Sequence, residues 1–194
     1  MNGGKQGARS PGVYVMKDGP LLVTNDASLS GTDVAFYFTG DKGSLLFDKK
    51  TMISLSAPVN GIMAGLLMSE EKTVSAPVDP VSQLEDEDEE DTSTISPKPG
   101  KTPPPLAASK AMRTYRIISD NARTILGTIY LPAGRLVIDA SKPVADMSAY
   151  TVVVAQQINL YEGPNLYLNA NYNNTSVPVP KGLGPISGRL LLSQ

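Results

Sequence analysis

Asp120, Asp139 and Asp146 share the second half of this 194-residue chain with Arg123 and Arg135. Stacked on one face, these side chains could hold a divalent cation beside a strong base. Elimination from an acidic polysaccharide runs on that chemistry, with Ca²⁺ held by Asp and the proton taken by Arg. Calcium asks for roughly six to eight oxygen ligands, and no spacing among the three aspartates secures that number. Asp at such positions more commonly caps a turn by accepting from backbone amides. The residues therefore predict turn-capping, and no catalytic, cofactor-binding or metal-binding residue is assigned.

Other candidates reduce in the same way. Lys49-Lys50 and the scattered arginines lack the dense basic clustering and the motif of a nucleic-acid binder, so they are read as solvated surface. Tyr130, Tyr150, Tyr161 and Tyr167 could form an external ladder for sugar contact, although packing within or beside a sheet is the commoner role. Asn173-Asn174-Thr175 fits a glycosylation acceptor pattern and Gly3-Gly4-Lys5 lacks the spacing of a phosphate loop. With no His and no Cys, the commonest general base, the usual zinc ligands and thiol chemistry are all missing.

The elements that must position these residues are short apolar runs. Val34–Thr39, Gly127–Pro132 and Tyr150–Ala155 are rich in β-branched and aromatic residues, and Ser44–Phe47 and Arg135–Ile138 follow two of them closely. Val13–Met16, Leu21–Val23, Ile53–Ser56, Ala64–Met68, Tyr115–Ile118 and Ile158–Tyr161 read as further strands. Turns are expected at Lys17–Pro20, Gly40–Gly43, Asp120–Ala122 and Ala133-Gly134, where Gly, Pro, Asn and Asp supply the special dihedrals. No segment longer than one turn carries a convincing helical period.

Spacing selects among all-β folds. Phe36 and Leu66 are 30 residues apart, Leu66 and Ile129 are 63 apart, and Ile129 and Val152 are 23 apart. Excising an insertion brings the middle interval close to the last. Runs apolar on both faces suit strands buried in a parallel stack, and a single coil cannot bury its own apolar face without neighbours. The prediction is a right-handed parallel β-helix, a short β-solenoid, with a β-sandwich or jelly roll as the alternative.

Charge marks the insertion. Residues 70–112 hold ten acidic residues and four Lys, and the rest of the chain holds nine acidic and thirteen basic residues. Glu85–Asp91 is an unbroken acidic run, and Pro97, Pro99 and Pro103–Pro105 follow it. Repulsion and missing backbone donors predict a disordered insertion over 70–112. Residues 1–10 are expected to be a disordered lead-in, and 11–69 with 113–194 to form one solenoid domain. No run is long enough for a membrane-spanning helix, and Met1–Gly7 lacks the apolar stretch of a signal peptide.

Pro11–Val15, Leu29–Val34, Tyr37–Gly40, Leu55–Pro58, Leu126–Leu136 and Ser148–Thr151 fall in an order that resembles the C-terminal β-rich region of bacterial tight-adherence (Flp pilus) assembly proteins of the TadE/TadG-like type. The resemblance covers about residues 11–69 and 113–180. It implies a non-enzymatic setting in the bacterial cell envelope or outside the cell, with envelope or pilus-assembly proteins, or glycan, as partners. It supplies no catalytic motif. Two further expectations stand beside it: a calcium-dependent polysaccharide-active enzyme, and a structural core whose acidic loop docks proteins or inhibits the chain's own surface.

Overall fold

A computed structural model describes residues 6–75, 111–161 and 165–183. Eleven strands follow in chain order: β1 (Gln6–Arg9), β2 (Gly12–Lys17), β3 (Pro20–Val23), β4 (Ser28–Gly31), β5 (Val34–Thr39), β6 (Ser44–Phe47), β7 (Met52–Ser56), β8 (Leu66–Glu70), β9 (Arg113–Ile117), β10 (Asn121–Ile138) and β11 (Thr151–Leu160). Every pairing between these strands is parallel. That excludes a hairpin-built sandwich, whose neighbours would run antiparallel, and the chain is a β-solenoid of about five turns.

The turns have three faces. The first stacks β1, β4, β7 and the start of β10. The second stacks β2, β5, β8, the middle of β10 and the first half of β11. The third stacks β3, β6, β9, the end of β10 and the second half of β11. Successive side chains on a strand point to opposite sides, so each face sends one set of residues into the core.

On the second face the inward row is Tyr14, Phe36, Met68, Ile129 and Val153. On the third face two rows run the length of the stack. One is Leu21, Leu45, Tyr115, Leu136 and Ile158; the other is Val23, Phe47, Ile117, Ile138 and Leu160. These rows meet in one core, except for Ile158 and Leu160 of the last coil, which lie outside it. The clean alternation of β7, with Ile53 and Leu55 buried between exposed Met52 and Ser54, is the sequence pattern in its plainest form.

Several boundaries differ from the sequence expectation. Residues 6–9 of the lead-in are strand β1, held by parallel pairing to β4. Their polar character misled because an end strand has only one neighbour and little core beneath it. Glu70 belongs to β8, and residues 71–75 are described and bonded to the stack. Residues 111–112 are described as well; residues 76–110 of the expected disordered insertion, residues 1–5 of the lead-in, and residues 162–164 and 184–194 of the expected solenoid span lie outside the described residues. Asn121 starts β10 where a turn was expected, and Ala133-Gly134 lies inside that strand. There the chain bends between faces, with a register shift between Leu131 and Arg135. Ile158 likewise continues β11 without a break.

The Asn- and Pro-rich tail closes part of one end. Leu166 bridges Val144 and Ala170 bridges Tyr150, then the chain passes through a short 3-10 turn at Tyr172–Asn174. The Pro178 carbonyl accepts from Tyr150 Oη at 2.6 Å. It also crosses Gly65, where φ is +77° and a Cβ would stand 2.0 Å from the Pro178 oxygen. Only glycine suits that position on both counts.

Candidate functional site

The three aspartates do not converge. Asp120, at the corner between β9 and β10, accepts from the Ser141 amide at 2.8 Å through Oδ1 and donates its own amide to the Lys49 carbonyl. Asp139 follows β10 and donates its amide to the Ile117 carbonyl at 3.0 Å. Asp146 lies on the connection before β11 and takes Nε of Arg123 at 3.0 Å and 3.2 Å through its two oxygens. Arg123 also bonds Asp146 through Nη2. Among the described residues no three carboxylates lie close enough to hold a metal ion. Asp120 and Asp139 follow the third face on successive coils, whereas Asp146 lies beside Arg123 on the connection that continues the first face, so the possible gathering of the three does not occur.

Arg135 donates through Nη2 to Thr114 Oγ1 at 3.1 Å, so it bridges adjacent coils. Hydrogen bonding to Arg123, more than its bare charge, holds the Asp146 carboxyl below the usual carboxylate range and raises the guanidinium. Arg123 is 48% exposed, and solvent weakens such a pair.

The four tyrosines do not form one ladder. Tyr150 is buried inside the stack, tilted against Tyr172 with ring centres 5.3 Å apart. Burial pushes its hydroxyl up to about 12. Tyr161 and Tyr167 are about half exposed at the C-terminal end. Tyr130 is aligned with Ser69 and Val154 on the outer side of the second face, with Tyr37 on the far side of Ser69. Lys49 and Lys50 are exposed on the turn after β6, and Asn173 and Asn174 are exposed in the 3-10 turn.

The strongest constellation of charge was missed by sequence reasoning, because its members fall at the borders of the acidic segment. Glu70 closes β8 and Arg113 opens β9, so the two flank the departure and return of residues 71–112. Both side chains are fully buried and meet at 3.1 Å. Arg113 Nε donates to the Gly40 carbonyl at 2.8 Å, Nη1 to the Glu71 carbonyl at 2.7 Å, and Nη2 to the Thr73 carbonyl at 2.6 Å. Glu70 Oε2 also accepts from Tyr115 Oη at 2.8 Å, and Oε1 accepts from the Ala133 amide at 2.7 Å. The network thus ties β5, β8, β9 and β10 together at one corner.

Buried charges persist only when paired and fully bonded, and these are. Burial raises the Tyr115 hydroxyl far above its ordinary value, and the Glu70 charge adds to the effect. Just outside, Glu71 accepts from Thr39 Oγ1 at 2.6 Å and from the Gly40 amide at 3.1 Å. The Thr39 bond, then the Gly40 bond, holds its carboxyl low, with Arg113 adding a smaller effect. A sequence signal did exist: Arg113 and Tyr115 stand at alternate positions with the apolar Ile117, so all three fall on the side of β9 that faces the core.

Two shallow recesses mark the corner between the first and second faces. One, of about 390 Å³, carries Arg9 and the hydroxyls of Ser30, Thr32, Ser54, Ser56 and Thr124. Ser30, Ser54 and Thr124 are aligned across β4, β7 and β10, giving hydroxyls at the inter-strand spacing of about 4.8 Å. The other, of about 620 Å³, is lined mainly by apolar groups including Val13, Pro58, Ile62 and Met63. Its carboxylate, Asp33, is already engaged by the Val59 amide at 3.0 Å. The chain matches no family model, no curated protein and no solved structure.

Proposed function

We propose that this chain is a non-enzymatic β-solenoid module of the bacterial cell envelope or exterior, serving Flp-type pilus assembly or surface adhesion through protein or glycan contacts. The observation that supports this reading is the employment of the charged side chains. Asp120, Arg123, Asp146, Glu70 and Arg113 each hold a turn, a neighbouring coil or the core. The setting is supported by the order of phrases that resembles tight-adherence proteins. Among the described residues no helix is long and apolar enough to cross a membrane.

Deleting the gene in its source bacterium should reduce Flp pili under the electron microscope and lower attachment to surfaces. The purified chain, given uronate polymers with calcium, should release no unsaturated product. Normal pili in the deletion strain would overturn the assignment. Calcium-dependent release of unsaturated ends would establish the polysaccharide-active alternative.

A second reading, a structural core that carries an acidic protein-docking loop, draws on Arg113. That residue binds the Glu71 and Thr73 carbonyls from the returning strand, so both ends of the segment are fastened to the stack. Removing residues 76–110 should leave the far-ultraviolet spectrum of the solenoid intact while changing what the chain captures. Loss of the folded state on deletion would sink this version.

A further inference from the structure

We propose that the open edge of β11, from Gln157 to Leu160, pairs with the same edge of a second copy of this chain about a two-fold axis. Two core rows of the third face end here. Leu136 and Ile138 are 0% and 1% exposed, but Ile158 and Leu160, one coil further on, are 44% and 48% exposed. At the opposite end, Leu21 and Val23 at the head of the same rows are only 8% and 7% exposed. At the C-terminal end the chain's own tail covers the first face. Val144 donates to the Asn165 carbonyl, Tyr167 to Val144, and Asn171 to Ala149. No described segment does this for the third face, where β11 pairs only with β10.

Backbone groups are presented as well as side chains. The Tyr161 amide bonds the Ile138 carbonyl of β10. Alternate residues of a parallel strand address the same neighbour, so Ile158 and Leu160 turn their amides and carbonyls toward the open side. An exposed row of this kind is a template for another strand.

Charge selects the occupant. Soluble sheets guard open edges with Lys, Pro or inward charges, and Thr151–Leu160 contains none of these. Two copies of this edge therefore meet without like-charge repulsion. The outward groups are also self-complementary. Gln157 Nε2 donates to Asn159 Oδ1 at 2.8 Å, and Asn159 Nδ2 donates to Tyr161 Oη at 3.3 Å, and each amide can both give and accept a bond. Joining two identical edges about a two-fold axis makes the strands antiparallel across the seam and closes the assembly at a dimer. Ile158 and Leu160 of each copy then cover those of the other.

This inference does not depend on the pilus assignment. Sedimentation velocity over a concentration series should show the full chain forming a dimer and nothing larger. Ile158→Lys with Leu160→Lys should leave a monomer with an unchanged far-ultraviolet spectrum. The milder Ile158→Thr with Leu160→Thr should weaken dimerisation by about tenfold or more, so the test survives if the lysine variant fails to fold. Ile62→Ser, at an apolar site that is 95% exposed elsewhere, should remain dimeric. A wild-type monomer throughout the series, a dimer that persists in the threonine variant, or polymers that lengthen with concentration would each overturn the proposal.

Discussion

Two arginine–carboxylate pairs do different work in this molecule. Arg123 and Asp146 meet on the surface, where the arginine is nearly half exposed. Arg113 and Glu70 meet in the core with no exposed side-chain surface on either partner. The surface pair has the look of chemistry in the sequence, because an Arg and an Asp stand free of any apolar run. The buried pair looks like the margin of a solvated acidic segment. Position in the stack reverses their importance. The surface pair trades water for a partner at little net gain, whereas each buried charge depends on the other remaining in place.

Removing one buried charge gives the largest expected effect. Arg113→Met strands the Glu70 carboxylate and three backbone carbonyls, and should cost about 3–5 kcal/mol, read as a fall in the urea midpoint with an unchanged slope. The double variant Glu70→Leu with Arg113→Met sharpens the comparison. Many buried pairs can be replaced together by apolar residues at little cost. Here the Gly40, Glu71 and Thr73 carbonyls, the Ala133 amide and the Tyr115 hydroxyl would all lose partners. The double variant should therefore remain destabilised, and recovery to wild-type stability would show that the network is an ordinary ion pair.

Tyr115→Phe, which takes one bond from the Glu70 carboxylate and keeps the edge-on ring contact with Phe38, should cost roughly 1.5–3 kcal/mol. Gly134→Ala should cost about 1–3 kcal/mol, because a Cβ there would stand 2.7 Å from the Tyr115 ring and 2.9 Å from Glu70. Thermal melts of both variants check these values. If Gly134→Ala melts with the wild type, the corner is looser than its geometry states.

The smallest effect belongs to the surface pair. Asp146→Asn should move the melting temperature little, and added salt should erase the difference. Its pH dependence has a definite sign. The Asp146 carboxyl titrates below its ordinary value, so its stabilisation is present above that ordinary value and is lost as pH falls through the lowered one. A carboxyl-carbon NMR titration of Asp146 in the wild type and in Arg123→Ala should show the value rise toward normal in the variant.

The solenoid was legible because core rows repeat. Phe36, Met68, Ile129 and Val153 lie opposite one another on the second face, and their spacing survives the insertion. Ile53 and Leu55 declare their face by alternation. Other features stayed hidden for physical reasons. Pro132 and Gly134 suggest a turn, yet they mark a bend between faces inside β10, where Gly134 is required by the packing of Tyr115 and Glu70. Tyr150 opens an apolar run and packing is its expected role, but its hydroxyl partner, the Pro178 carbonyl, lies far along the chain and meets it only after the tail folds back. Charge counting placed Glu70 in the insertion, because a lone buried acid cannot be told from a solvated one until its partners are located.

The unbroken course of β10 has a mechanical consequence. This strand is registered to β7 on the first face, to β8 on the second and to β9 on the third, and it carries β11 on its far side. Tension applied at the C-terminal end can peel β11 from one strand alone. The next step must part β10 from three faces at once, with the buried arginine corner beneath it. Single-molecule extension should therefore show a low-force release of the last coil followed by a distinctly higher peak, which gives the stack a built-in stop against unravelling under load.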